Sequence, residues 1–127
     1  MATALQSDSQ PRTIDRGLQS RIGVERQVVV RDVLEWRALW QQHAPDRAQP
    51  SIDFSVEMVI GLFLGARNSG GYAIEVVSAR RQGEGTVVRY RQREPARGAI
   101  TAQVMTSAYH VVSIPRSSGN VRFERVE

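Results

Sequence analysis

The stretch from Val56 to Gly65, VEMVIGLFLG, is apolar at both sets of alternating positions. Successive side chains of a strand point to opposite faces, so a strand of this composition needs cover on both sides. The chain must therefore build a layer above and a layer below this segment. With 127 residues, 41% hydrophobic and 24% charged, it has the length and composition for one globular core and is short for two.

One covering layer is legible in the sequence. Asp32 precedes Val33-Leu34-Glu35, an acidic cap with a glutamate three places on, and this predicts a helix over about 32–43. Val33, Trp36, Trp40 and His43, with Leu39 beside them, recur at helical spacing and should face the core. Ala44 to Pro50 reads as a polar loop. The remaining runs read as strands: 21–30, 72–81, 86–94, 108–114 and 120–126. Gly83-Glu84-Gly85 is expected to close one hairpin, and Pro115 to Gly119 a second. Residues 1–20, rich in Ser, Gln, Asp and Thr, read as a flexible lead-in to a single β-rich domain over 21–127. The predicted fold class is α+β and mostly β: an antiparallel sheet, sandwich or partly closed barrel of about six strands capped by one helix.

Several chemistries find little support. Cysteine is absent, which removes disulfides, thiolate nucleophiles and cysteine-ligated zinc. The two histidines, His43 and His110, are too few for a histidine metal cluster, and neither has a carboxylate at metal-ligand spacing. His43 belongs to the core row, and His110 reads as a strand residue with a hydrogen-bond partner. No serine stands in a Gly-x-Ser-x-Gly elbow. We expect no catalytic residue, metal or cofactor, and rank a serine hydrolase last. The apolar run Met58–Leu64 is far below the ~20 residues of a membrane helix. MATALQSDSQPRT shows no export leader, which leaves the compartment open: the cytoplasm by default, the periplasm or exterior where a leader has been trimmed.

Two features point to binding. Gly65-Ala-Arg-Asn-Ser-Gly-Gly-Tyr72 opens like a phosphate loop, but Gly71 and Tyr72 stand where the lysine and hydroxyl would be needed. Alternation resumes after Tyr72, so the segment should join two strands, with glycines supplying positive φ. Arg67, Asn68, Ser69, Gly70, Gly71 and Tyr72 are the expected contacts with another protein. Net charge is +4 and all 17 basic residues are arginine. Arg89, Arg91 and Arg93 alternate along one strand and share a face, with Val88 and Tyr90 on the other. A three-residue loop at 83–85 places Glu75 across from Arg93 and Val77 across from Arg91, and brings Arg81 onto the arginine face. That face suits an anionic partner, but it has no stacking aromatic for single-stranded nucleic acid.

The order Glu35-Trp36-Arg-Ala-Leu39-Trp40, Ile52-Asp53-Phe54-Ser55, Met58-Val-Ile60, Leu64-Gly65-x-Arg67, Gly70-Gly71-Tyr72 and Ala108 to Ser113 resembles the C-terminal domain of PrcB-type protease complex subunits, from about residue 22 to 126. The resemblance implies a non-enzymatic bacterial β domain that binds or stabilises a protease. Asn68-Ser-Gly-Gly-Tyr72 is also similar, more weakly, to a loop of chagasin-like cysteine-protease inhibitors. The expected function is thus a protein-binding module first, an arginine face for nucleic acid or another polyanion second, and a chagasin-like protease inhibitor third.

Overall fold

The computed structural model describes residues 8–127. In chain order its elements are β1 (Asp8–Ser9), β2 (Arg12–Gly17), β3 (Arg26–Val30), α1 (Val33–His43), β4 (Glu57–Phe63), β5 (Ala73–Gln82), β6 (Gly85–Arg93), β7 (Tyr109–Pro115) and β8 (Val121–Val126). They form two four-stranded sheets, ordered β1-β5-β6-β8 and β2-β7-β4-β3. The sheets pack as an open sandwich, and α1 covers the outer face of the second.

β4 receives both layers that its sequence demands. Met58, Ile60, Leu62 and Leu64 join Val76, Ala79, Val88, Val112 and Ile114 in the core between the sheets. Val59 and Phe63 point the other way, to Trp36, Leu39 and Trp40 of α1. Each such side chain, fully buried, contributes about 1.5–3 kcal/mol. The helix starts as expected: Asp32 Oδ1 accepts from the Glu35 amide at 2.8 Å, and Glu35 Oε1 accepts from the Arg31 amide at 2.8 Å. Both indoles find acceptors in the loop after the helix, Trp36 on Pro50 O at 2.8 Å and Trp40 on Arg47 O at 2.9 Å. Val33 departs from the expected row. It is half exposed, and Leu34 more so, and the buried row of the helix begins only at Trp36.

Three expectations need correction. The lead-in is structured from Asp8: β1 pairs with β5, and β2 pairs with β7 from Arg12↔Ser113 to Gly17↔Tyr109. Ladder hydrogen bonds come from the backbone, so a polar segment with a single large apolar residue, Ile14, can still be a strand. Residues 1–7 of the expected lead-in lie outside the described residues. The middle hairpin turns on two residues, Gly83 and Glu84, with Gln82 opposite Gly85 and Gly83 at φ 62°. Together with a bulge between Val76 and Ser78, this puts Glu75 across from Arg91 and Ala73 across from Arg93.

The last two strands are not a hairpin. β7 lies between β2 and β4, whereas β8 runs parallel to β6 in the opposite sheet. Their linker crosses between sheets, where Arg31 donates to Ser117 O and, at 2.7 Å, to Gly119 O. Gly119 N also donates to Glu84 O at 2.7 Å, and Thr86 N to Asn120 O at 3.0 Å. A turn-rich linker serves a crossing as well as a reversal. Here Val112 and Ile114 line the shared core from one sheet and Val121 and Phe123 pack against it from the other, which separates the strands.

Candidate protein-binding site

The segment after β4 leads into β5 in the opposite sheet, with strand rather than helix beyond Tyr72. The helix terminus that would hold a phosphate is therefore missing from this connection. Gly71 takes φ 94° and packs against Pro95 and Thr101, while Gly70 has no positive φ. A second connection, 94–108, braces the loop. Arg67 N donates to Thr106 O at 2.8 Å, Thr106 N to Arg67 O at 2.9 Å, Gly70 N to Ala102 O at 3.0 Å and Thr106 Oγ1 to Ser69 O at 2.8 Å. Asn68 and Gly71 are exposed at the tip, with Arg67, Ser69 and Gly70 partly so. Tyr72 is partly buried against the inter-sheet core, and the Arg67 guanidinium lies 5.5 Å from its ring centroid.

Arg89, Arg91 and Arg93 do share the outward face of β6, while Val88 and Tyr90 turn to the core. Arg81 does not join them. It stands opposite the buried Thr86, on the inward side, and donates to Gly83 O at 3.2 Å. The shorter turn moves the register by one residue and so reverses the face of that position. Arg80, opposite Val87, takes the outward place. Carboxylates interrupt the face: Arg89 and Arg122 pair with Glu124 at 2.9 and 3.2 Å. Arg91 and Arg16 share Glu75 at 3.3 and 3.7 Å.

A polar cluster that sequence reasoning missed lies under α1. Asp15 Oδ2 is 2.8 Å from His43 Nε2 and 2.7 Å from Arg47, and Oδ1 accepts from the Tyr109 hydroxyl at 3.1 Å. Burial pushes the Asp15 carboxyl up, but the bonds from Arg47, His43 and Tyr109 outweigh it and hold the pKa below the usual carboxylate value. On the other side of the ring, Ser20 Oγ sits 2.7 Å from His43 Nδ1 and accepts from Ile22 N at 3.0 Å. The residue types are those of a hydrolytic triad, yet Ser20 and His43 are buried and the serine oxygen is engaged by Ile22. The set acts as a polar pin holding β2 to the helix. Asp15 lay in the segment read as flexible, so its spacing carried no signal.

His110 forms a second pin, between the sheets. Val76 N donates to its Nδ1 at 2.9 Å, which requires a lone pair there and puts the ring proton on Nε2, 2.9 Å from Thr13 Oγ1. Burial, reinforced by Arg16, lowers its pKa to about 4, against a smaller opposing effect of Glu75. The folded state thus holds the neutral ring, and the unfolded chain binds more protons between about pH 4 and 6.5. Stability contributed by His110 is complete above about pH 6.5 and is lost as pH falls toward 4. The loss should amount to a few kcal/mol, at about 1.4 kcal/mol for each of the roughly 2.5 pH units between the two values. Urea unfolding at pH 7 and 4.5 measures it. A histidine NMR titration giving His110 a midpoint near 6.5 in the folded protein would sink this assignment.

No helix among the described residues is long and apolar enough to cross a membrane. Among them, no group of three or more His, Cys, Asp or Glu residues is placed to hold a metal ion. No curated protein and no solved structure shows significant similarity to the chain. Residues 58–115, from the start of β4 through the braced loop to the proline ending β7, match the family model of the PrcB C-terminal domain, the family that the sequence resembles.

Proposed function

We propose that the chain is a non-catalytic protein-binding domain that associates with a bacterial protease complex, and that the loop Arg67 to Tyr72 makes the contact. The observation that carries this reading is the PrcB C-terminal match, which spans the loop and both strands joined by it. The cross-bracing between 67–70 and 102–106 supports it physically. A loop tied down by backbone hydrogen bonds loses little entropy when a partner docks. Asn68, Ser69, Gly70 and Gly71 supply exposed polar groups and backbone, and Arg67 lies against Tyr72. Tyr72 acts through packing as well as contact, because its ring already touches the core.

The tip residue separates binding from folding. Asn68 is exposed, so Asn68→Arg should leave the melting temperature within about 2 °C of the parent, surface changes being worth under about 0.5 kcal/mol. The same change should reduce recovery of a protease from the source organism's lysate at least tenfold. Full recovery of the protease by the variant would rule out the loop as the contact, and recovery of no protease by the parent would overturn the reading itself.

A further inference from the structure

The ion pairs on the outward face of β6 run out toward one end. Arg89 is answered by Glu124, and Arg91 shares Glu75 with Arg16. Arg93 stands across from Ala73, and among the described residues its guanidinium has no carboxylate partner. Two adjoining clefts meet at this point. The smaller, about 230 Å³, is lined by Arg16, Ala73, Ile74, Glu75, Arg91 and Arg93. The larger, about 550 Å³, adds Arg125 and Glu127 beyond the shared Arg91 and Arg93. In the smaller cleft Arg16 and Arg91 share a single glutamate while Arg93 lines the same space without one, which leaves an excess positive charge beside open space.

We propose that this cleft receives a carboxylate side chain from an acidic peptide segment of a protein partner. Guanidinium groups match the planar carboxylate fork, and a partly enclosed cleft strengthens the pairing over one on a flat surface. The spacing favours isolated carboxylates over a polyphosphate. Glu75 and Glu124 interrupt the arginines, so a continuous phosphate backbone would meet repulsion along the same face, and the ring of Tyr90 turns to the core instead of stacking on bases. That the acidic segment belongs to a protein rests on the protein-binding reading above, although the cleft's own chemistry can be tested without the protease.

Fluorescence anisotropy of a labelled hexaglutamate peptide with the purified chain at low salt provides the test. Arg93→Glu, a change at an exposed side chain, should weaken binding at least tenfold. Glu75→Gln should tighten it severalfold, because it frees Arg16 and Arg91 from their shared partner. A dodecathymidylate should bind more weakly than the peptide. Unchanged peptide affinity in Arg93→Glu, weaker binding in Glu75→Gln, or an oligonucleotide that binds more tightly would each overturn the proposal. Because no protease is present, these results are independent of whether the 67–72 loop contacts one.

Discussion

Replacing Asp15 with alanine should cost about 2–6 kcal/mol of folding stability, about 1–3 kcal/mol for each of the two buried groups left without their acceptor. Asp15 is largely shielded from solvent, with 11% of its side chain exposed, and it accepts from Arg47, Tyr109 and His43 together. Its loss strands the buried His43 ring nitrogen and the Tyr109 hydroxyl, while Arg47 can turn to water. Asp15→Asn keeps an acceptor but no charge and should cost roughly half as much. Because the folded carboxyl has a lowered pKa, its contribution is present above about pH 3.8 and lost as pH falls below that value. The acid limb below pH 3.8 should therefore be flatter in Asp15→Asn than in the parent. Denaturant unfolding across pH 2.5 to 7 decides. A loss below about 1 kcal/mol in Asp15→Ala would show that β2 is held by its ladder alone.

Gly65→Ala should be the most disruptive change at the entrance to the candidate loop. Gly65 takes φ 83°, and a β-carbon there would lie 2.8 Å from Glu25 N and 3.0 Å from the Val24 carbonyl carbon. Both obstacles are backbone atoms, held close by the hydrogen bond from Ala66 N to Gly23 O at 3.0 Å. The left-handed conformation costs an alanine about 1 kcal/mol, and overpacking against fixed atoms adds about 1–3 kcal/mol. A total near 3 kcal/mol corresponds to a melting temperature lower by about 10 °C for a domain of this size. Gly83 provides the contrast. It also has positive φ, 62°, but a β-carbon there meets nothing within 4 Å. Asparagine tolerates that conformation, so Gly83→Asn should shift stability by less than about 1 kcal/mol. Equal melting temperatures for Gly65→Ala and the parent would mean that the 23–25 backbone moves freely away from the loop.

What was legible in the sequence follows which atoms made the structure. β4 announced itself because both of its faces are side-chain surfaces, and α1 because its cap and its Trp36, Leu39, Trp40 and His43 row are side-chain features. β2 did not, since the side chains that tie it to the rest, Thr13 and Asp15, are polar and their value lies in partners far along the chain, His110 and Tyr109. The parallel pairing of β8 was hidden for a similar reason. Arg31, more than eighty residues away, clasps the linker that sends the chain to the other sheet. In the binding regions, the glycines and the alternating arginines were readable. The bracing segment 102–106 was not, because backbone hydrogen bonds hold it, nor was the exchange of Arg81 for Arg80 on the outward face, which one residue of turn length decides.

In the function proposed here, the exposed tip of the braced loop meets a protease. Site-specific photocrosslinking from a benzophenone side chain at Asn68, with Gln41 on the exposed side of α1 as control, tests that in cells of the source organism. The expected result is an adduct with a protease or its complex from position 68 and not from position 41. A protease adduct from position 41 alone, or adducts at position 68 only with proteins unrelated to proteolysis, would contradict it.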